Sequence, residues 1–417
     1  MEVIGDVLLP AVEHYEAMQL RSGRVFRGKL RDEARRTMGV LAGKLAQFPG
    51  TFFFENVDGD DYVVYQYYEG LPPVRWKLHA TLLALTALTT MIAHSEESLT
   101  GFYWHVTWAV DEVQMAALQL VGVLVAVDGG VASRLAAAWA HVVDILPLLH
   151  GGVLFSVAVL AILLAHEGGH YFAARSYGMT VTPPFFLPAP FGVGTLGAII
   201  RIRTPMIHKR MLLAVGGAGP IAGLIVSIGV LAAGTALSEF RPVSSVVADS
   251  LRGRLGDSIL SSVVRWLIVG PTPAGYVLSV HPLRLAGWFG LVITALNLLP
   301  VGQLDGGHIA YALFGPGQRA FGRGAKLGIL VLGLLGALAT FGPVRWPVVA
   351  VFPQIWLMWL LVALLLQVAM RGAHPPLMFE GVPLGRARTL VGVLLIVAFV
   401  ITFVPSPFDL RVALAAG

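Results

Sequence analysis

The chain has 417 residues, 56% of them apolar and only 13% charged, with a mean hydropathy of +0.75; an ordinary soluble domain carries about 25% charge. That balance excludes disorder, a collagen-like fibre and a secreted disulfide scaffold, and the absence of cysteine removes thiol nucleophiles, cysteine zinc sites and disulfides. A net charge of +5 in so apolar a chain is expected to set orientation in a bilayer, not to mark a nucleic-acid surface.

The fold class expected is mainly α, a polytopic helical membrane protein with room for about six to eight spans of ~20 residues. It begins with a small α+β soluble domain. Residues 1–72 are mixed and charge-rich, unlike a signal peptide. Residues 31–48 place apolar side chains at helical spacing, and the runs 51–55 and 62–68 flank the turn signal Asp58-Gly59, which predicts a hairpin. Pro72 and Pro73 end this unit. Hydrophobic stretches follow at 78–93, 115–127, 135–149, 151–173, 212–237, 285–300, 327–341, 348–370 and 390–404. The second and third are short for spans and suit a re-entrant hairpin or interfacial helices. Arg75 and Lys77 precede the first stretch, which predicts a cytoplasmic N-terminal domain. Basic clusters at Arg175–Arg210, Arg319–Lys326 and Arg371–Arg388 mark further cytoplasmic loops, and residues 95–107 and 238–280 fall outside.

The sharpest local feature is His166-Glu167-Gly168-Gly169-His170. Two histidines four residues apart lie on one helix face and can grip one metal ion, with Glu167 beside them to take a proton from water. With 12 His in 417 residues, chance supplies about 0.02 such matches. Each ionisable residue at membrane depth costs at least ~2.5 kcal/mol, so three within five residues need a compensating interaction, which a divalent cation provides. A polar helix face lining a transporter cavity is the plainer reading. Catalytic zinc takes three protein ligands and keeps a fourth position open. Asp305 is the candidate third ligand, in the run from Asn297 through Pro300 to Asp305-Gly306-Gly307-His308. Breaking a helix at Pro300 frees backbone groups that hydrocarbon does not tolerate, so the stretch should line protein or water. Asn297 can then donate to a developing oxyanion. Taken alone, Asp-Gly-Gly reads as a turn.

Together, HExGHxxxA and NxxPxxxLDGG resemble the site-2 protease family of intramembrane zinc metalloproteases, over residues 150–315. The resemblance implies one Zn2+ per chain held by His166, His170 and Asp305, with Glu167 as general base and acid and Asn297 supporting the tetrahedral intermediate. Gly169 and Ala174 match the family's small positions. The stretch 191–203 is similar to the family's membrane-associated β segment, in which Gly194, Thr195, Leu196, Gly197 and Ala198 offer a strand edge to an unwound substrate; a plain loop is the alternative. Gly219-xxx-Gly223 permits close helix approach and is assigned a structural role. His308 is read as orienting Asp305 or water, or as a structural hydrogen-bonding group. A soluble domain ahead of the core resembles the plant-type and related bacterial branch.

The expected organisation is a soluble cytoplasmic domain over 1–75, a first span with short or re-entrant helices over 76–149, the catalytic core over 150–315, and C-terminal transmembrane helices over 316–417. The resemblance implies an endopeptidase acting on membrane-anchored protein substrates within or beside their transmembrane segments, with no nucleic-acid partner. A prokaryotic plasma membrane is the expected location and a plastid membrane the alternative. A metal-ion transporter, a prenyl-protein protease and a catalytically silent scaffold are the competing readings; oligomeric state has no signature in the sequence.

Overall fold

A computed structural model describes residues 2–20, 23–48, 50–57, 59–68, 74–93, 131–189, 193–204, 206–242, 256–341, 356–369, 377 and 379–404. The run at 115–127, the outer segment 95–107 and Arg371 lie outside them. The described part is mainly helical with a small β component.

After a short helix α1 (Glu2–Leu8), strands β1 (Val12–Leu20) and β2 (Gly23–Leu30) form a hairpin. Helices α2 (Asp32–Arg36) and α3 (Met38–Leu45) follow, then β3 (Thr51–Val57) and β4 (Asp60–Tyr68). The strands make one antiparallel sheet in the order β1-β2-β4-β3. The predicted second hairpin forms, closed at Gly59, where φ is +94°, and at Asn56, whose side chain donates to Asp61 Oδ1 at 2.7 Å. The predicted helix over 31–48 is two helices broken at Thr37, which is the C-cap of one and the N-cap of the other. One sheet face is covered by α1 and α3, burying Leu8, Leu30, Leu41, Leu45 and Val63, about 1.5–3 kcal/mol for each large aliphatic chain taken from water.

Helix α4 spans Trp76–Ile92, and the next described element, α5 (Val131–Ser176), runs unbroken for 46 residues. The stretches 135–149 and 151–173, separate in the sequence, are therefore one helix. A short hairpin, β5 (Phe185–Pro188) with β6 (Thr195–Ile199), precedes α6 (Lys209–Ala236). Strand β7 (Phe240–Pro242) pairs with β8 (Tyr276–Leu278) around the amphipathic helix α7 (Ile259–Val269). Then come α8 (Pro282–Asn297), α9 (Asp305–Phe314), α10 (Gln318–Phe341), α11 (Trp356–Ala369) and α12 (Arg386–Thr402). Among the described residues two helical stretches are long and apolar enough to cross a membrane, Gly152–Ser176 and Lys209–Ala236.

Helices α5, α6 and α8 pack together around Phe155, Val159, Leu163, Leu231, Trp288 and Leu291. Small residues let these apolar helices approach closely. A Cβ on Gly169 would overlap the Ala218 backbone, and one on Gly287 the Leu231 backbone. Helix α4 joins α5 through a buried Thr90 Oγ1–Ser156 Oγ hydrogen bond of 2.6 Å. The second face of the N-terminal sheet is also covered: Val25, Val57 and Val64 pack against Met179 after α5, Ile207 and Met211 at the start of α6, and Phe379.

Candidate metal centre

His166 and His170 project from successive turns of α5, as their i, i+4 spacing requires. Asp305 opens α9 on the far side of the turn that begins at Pro300. The backbone there is satisfied locally: Leu304 N donates to Val301 O at 3.1 Å, and the Pro300 carbonyl accepts from the buried Gln318 side chain at 3.2 Å. Gly306 sits against the Leu298 carbonyl, where a Cβ would overlap it. A side chain at 306 would thus displace the first turn of α9, which carries Asp305.

Three donor atoms meet. His166 Nε2 lies 3.2 Å and His170 Nε2 3.3 Å from Asp305 Oδ2, and the two imidazole nitrogens are 3.2 Å apart. A tetrahedral zinc site with bonds of ~2.0–2.2 Å to nitrogen and oxygen has ligand–ligand edges of about 3.3–3.6 Å. The donor triangle is close to one face of that tetrahedron. Its chemistry also fits, with two neutral imidazoles and one carboxylate. Both histidines are buried, and the Asp305 side chain retains 17% exposure.

The surrounding groups orient the ligands. His170 Nδ1 lies 2.7 Å from the Val215 carbonyl of α6, the arrangement that directs Nε2 at a metal. Gly219 is packed so tightly on the His170 ring that a Cβ would overlap it, and a Cβ on Gly223 would come to 3.0 Å from His166 Nδ1. The Gly219-xxx-Gly223 element, assigned to helix packing from sequence, therefore also backs both ligand rings. Asn297, the last residue of α8, brings Nδ2 to 3.3 Å from His166 Nε2. Glu167 is buried, and the Ile200 backbone beyond β6 faces its carboxylate. His308 packs against Gly216.

The residues expected to offer a strand edge, Gly194 to Ala198, enter and form most of β6. Strand β6 pairs with β5 on one edge and has no second partner strand among the described residues. Gly194 has φ +81° and is wedged against the Thr89–Thr90 backbone of α4, where Thr89 Oγ1 donates to its carbonyl at 2.6 Å. His79 of α4 contacts the Pro184 carbonyl at 2.9 Å. The hairpin is thus held between α4 and the Glu167 turn of α5. Val215, Gly219 and α4 carried no local signal of a link to the ligands; only the four-residue spacing of Val215, Gly219 and Gly223 hinted at one helix face.

Comparison with known proteins agrees with this geometry. Residues 154–335, just under half the chain, match the model of Peptidase family M50. The chain is 35% identical over 214 residues to the "Probable zinc metalloprotease EGY2, chloroplastic" of Oryza sativa subsp. indica, covering 51% of this chain and 38% of that protein. It is 29% identical over 266 residues to the EGY2 protein of Arabidopsis thaliana, 64% of this chain and 44% of that one. To the "Probable zinc metalloprotease EGY1, chloroplastic" of Arabidopsis thaliana it is 31% identical over 204 residues, 48% and 36% of the two chains. The chain spans less than half the length of each of these relatives. No solved structure matches it.

Proposed function

We propose that this chain, whose residues 154–335 belong to Peptidase family M50, the site-2 protease type that its two motifs resemble, is a zinc-dependent intramembrane endopeptidase. Its substrates would be membrane-anchored proteins, cut within or beside their transmembrane segments. The observation that carries the reading is the meeting of His166, His170 and Asp305 as a triangle of donors with edges of 3.2–3.3 Å, next to buried Glu167.

Zinc, when bound, supplies a Lewis acid that polarises a carbonyl and makes water more acidic. His166, His170 and Asp305 would hold it. Glu167 takes the proton of the attacking water and returns it to the leaving amine. Its burial limits competition from bulk water. Asn297 Nδ2 donates to the oxyanion as charge develops on the scissile carbonyl. A substrate helix must unwind before its peptide bonds are reachable, and its freed backbone groups can be satisfied by the open edge of β6.

The polytopic architecture and the cytoplasmic placement of the N-terminal domain belong to this proposal. The relatives' names assign them to chloroplasts, which supports a plastid membrane beside the prokaryotic plasma membrane expected from sequence. The test is metal content and cleavage of a transmembrane reporter in detergent. Wild type should hold about one zinc per chain. His166→Ala and Asp305→Ala should lose it, and Glu167→Gln should keep zinc yet cleave nothing. Cleavage by Glu167→Gln, or a chelator-free wild type without metal, would overturn the reading.

A further inference from the structure

The N-terminal sheet reaches the metal centre through one buried polar contact that the proposed chemistry does not use. Glu55 on β3 accepts from Arg27 Nε at 2.9 Å and lies 2.6 Å from His208 Nε2. His208 is wholly buried and is the N-cap of α6, its Nδ1 accepting from Met211 N at 3.1 Å. With Nδ1 engaged as an acceptor, the ring proton sits on Nε2, the nitrogen that faces Glu55 Oε2 at 2.6 Å. Positions 208, 211, 215 and 219 recur at three- and four-residue spacing, so they share one face of α6. Val215 and Gly219 on that face hold the His170 ring. A second arm runs in parallel. Arg27 lies 5.1 Å from the Phe379 ring, Phe379 N donates to Ile207 O at 2.9 Å, and neighbouring Glu380 accepts from Tyr311 on α9, the helix that Asp305 opens.

We infer that Glu55 is a positioning residue for the metal centre, acting through His208 and the first turns of α6, so that the docked N-terminal sheet holds His170 in its ligating orientation. The inference rests on the zinc reading above and names the regulation of that site: whatever lifts the sheet from α6 loosens a metal ligand. A carboxylate buried at the junction makes the seat specific, because Arg27 loses its acceptor and His208 its charged neighbour when it leaves.

The experiment uses the full chain in detergent, loaded with zinc, and follows zinc transfer to a chelator together with amide hydrogen exchange. Glu55→Gln removes the charge. His208→Asn keeps a good helix cap while removing the Nε2 donor, and covers the case that Glu55→Gln misfolds. Glu13→Gln, at an exposed carboxylate of β1, is the control. Both test variants should bind zinc but release it about tenfold faster than wild type, at the low end of the ~10–100-fold effect of groups that support metal ligands. Exchange should rise over residues 50–57 and 209–219. Faster exchange confined to 50–57 with unchanged zinc release would overturn the inference, as would no change in either. A wild type that holds no zinc refutes the zinc reading instead. Exchange over 212–219 then decides the positioning: faster in both variants if it operates, unchanged if it does not.

Discussion

Replacing Gly219 by alanine adds one methyl group to α6 where the helix lies on the His170 ring. The new Cβ would overlap Nε2, Cδ2 and Cε1 of that ring. The ring cannot swing aside without breaking its 2.7 Å contact with the Val215 carbonyl. The helices cannot part without losing the crossing at Gly169, which sits on the Ala218 backbone. Forcing a methyl into such packing costs about 1–3 kcal/mol. If the displacement falls on His170, zinc affinity drops by about 5- to 150-fold, at 1.4 kcal/mol per factor of ten. Gly229→Ala is the matched control. It lies on the same helix with nothing within 4 Å of its Cβ, and alanine there gains up to ~1 kcal/mol of helix propensity. Chelator competition on the purified variants measures the affinities, and thermal unfolding with and without zinc shows whether the loss is local. Equal zinc affinity in the two variants would refute the view that Gly219 seats the ligand.

Asn297→Ala should keep its zinc and lower kcat by about 10²–10³, the effect of one oxyanion donor, with little change in KM; loss of zinc would show that Asn297 serves His166 instead. Gly194→Ala places a Cβ into the α4 backbone at a φ of +81°, so it should unseat the β5–β6 hairpin and abolish cleavage of a membrane reporter while zinc content stays at wild-type level. Burial by itself would raise the Glu55 carboxyl, but its close contact with His208 and the hydrogen bond and charge of Arg27 hold it below its ordinary value of 4.5. A carboxyl depressed in the folded state stabilises above its unfolded value, and that contribution is lost as pH falls through the folded one. Melting temperature should therefore drop on acidification below about 4.5 more steeply in wild type than in Glu55→Gln. Parallel curves would refute the assignment.

The parts of the site legible in the sequence were those whose geometry is local. The i, i+4 spacing of His166 and His170 determines their common face wherever the helix goes. The Pro300 break likewise announces a turn before Asp305. That Asp305 Oδ2 reaches both imidazoles is a tertiary fact, suggested only by the pairing of the two motifs. Strands β1 and β2 were missed because charged and polar residues interrupt their apolar ones without a clean alternation, and β1 is an edge strand. The unbroken course of α5 past Gly151-Gly152 was hidden by those glycines, which suggest a break. At Gly152 the reason is close packing, since a Cβ would overlap the Met91 carbonyl of α4. The Glu55–His208 contact has no local signature, because neither residue has a companion at motif spacing.

That contact also sets an order of assembly. His208 presents Nε2 as a donor once Nδ1 is engaged by Met211 N, which happens when the first turn of α6 has wound. Glu55 therefore recognises a formed helix, not an extended chain. The two sides of the junction are far apart in sequence; Asn56 and Arg210, hydrogen-bonded across it, are separated by 154 residues. The sheet is complete only at Tyr68, the end of β4, so at ~5–20 residues per second of synthesis it waits about 7–28 s for its seat at His208. During that interval the face bearing Val25, Val57 and Val64 has no α6 to cover it, so an apolar surface waits on a helix not yet made.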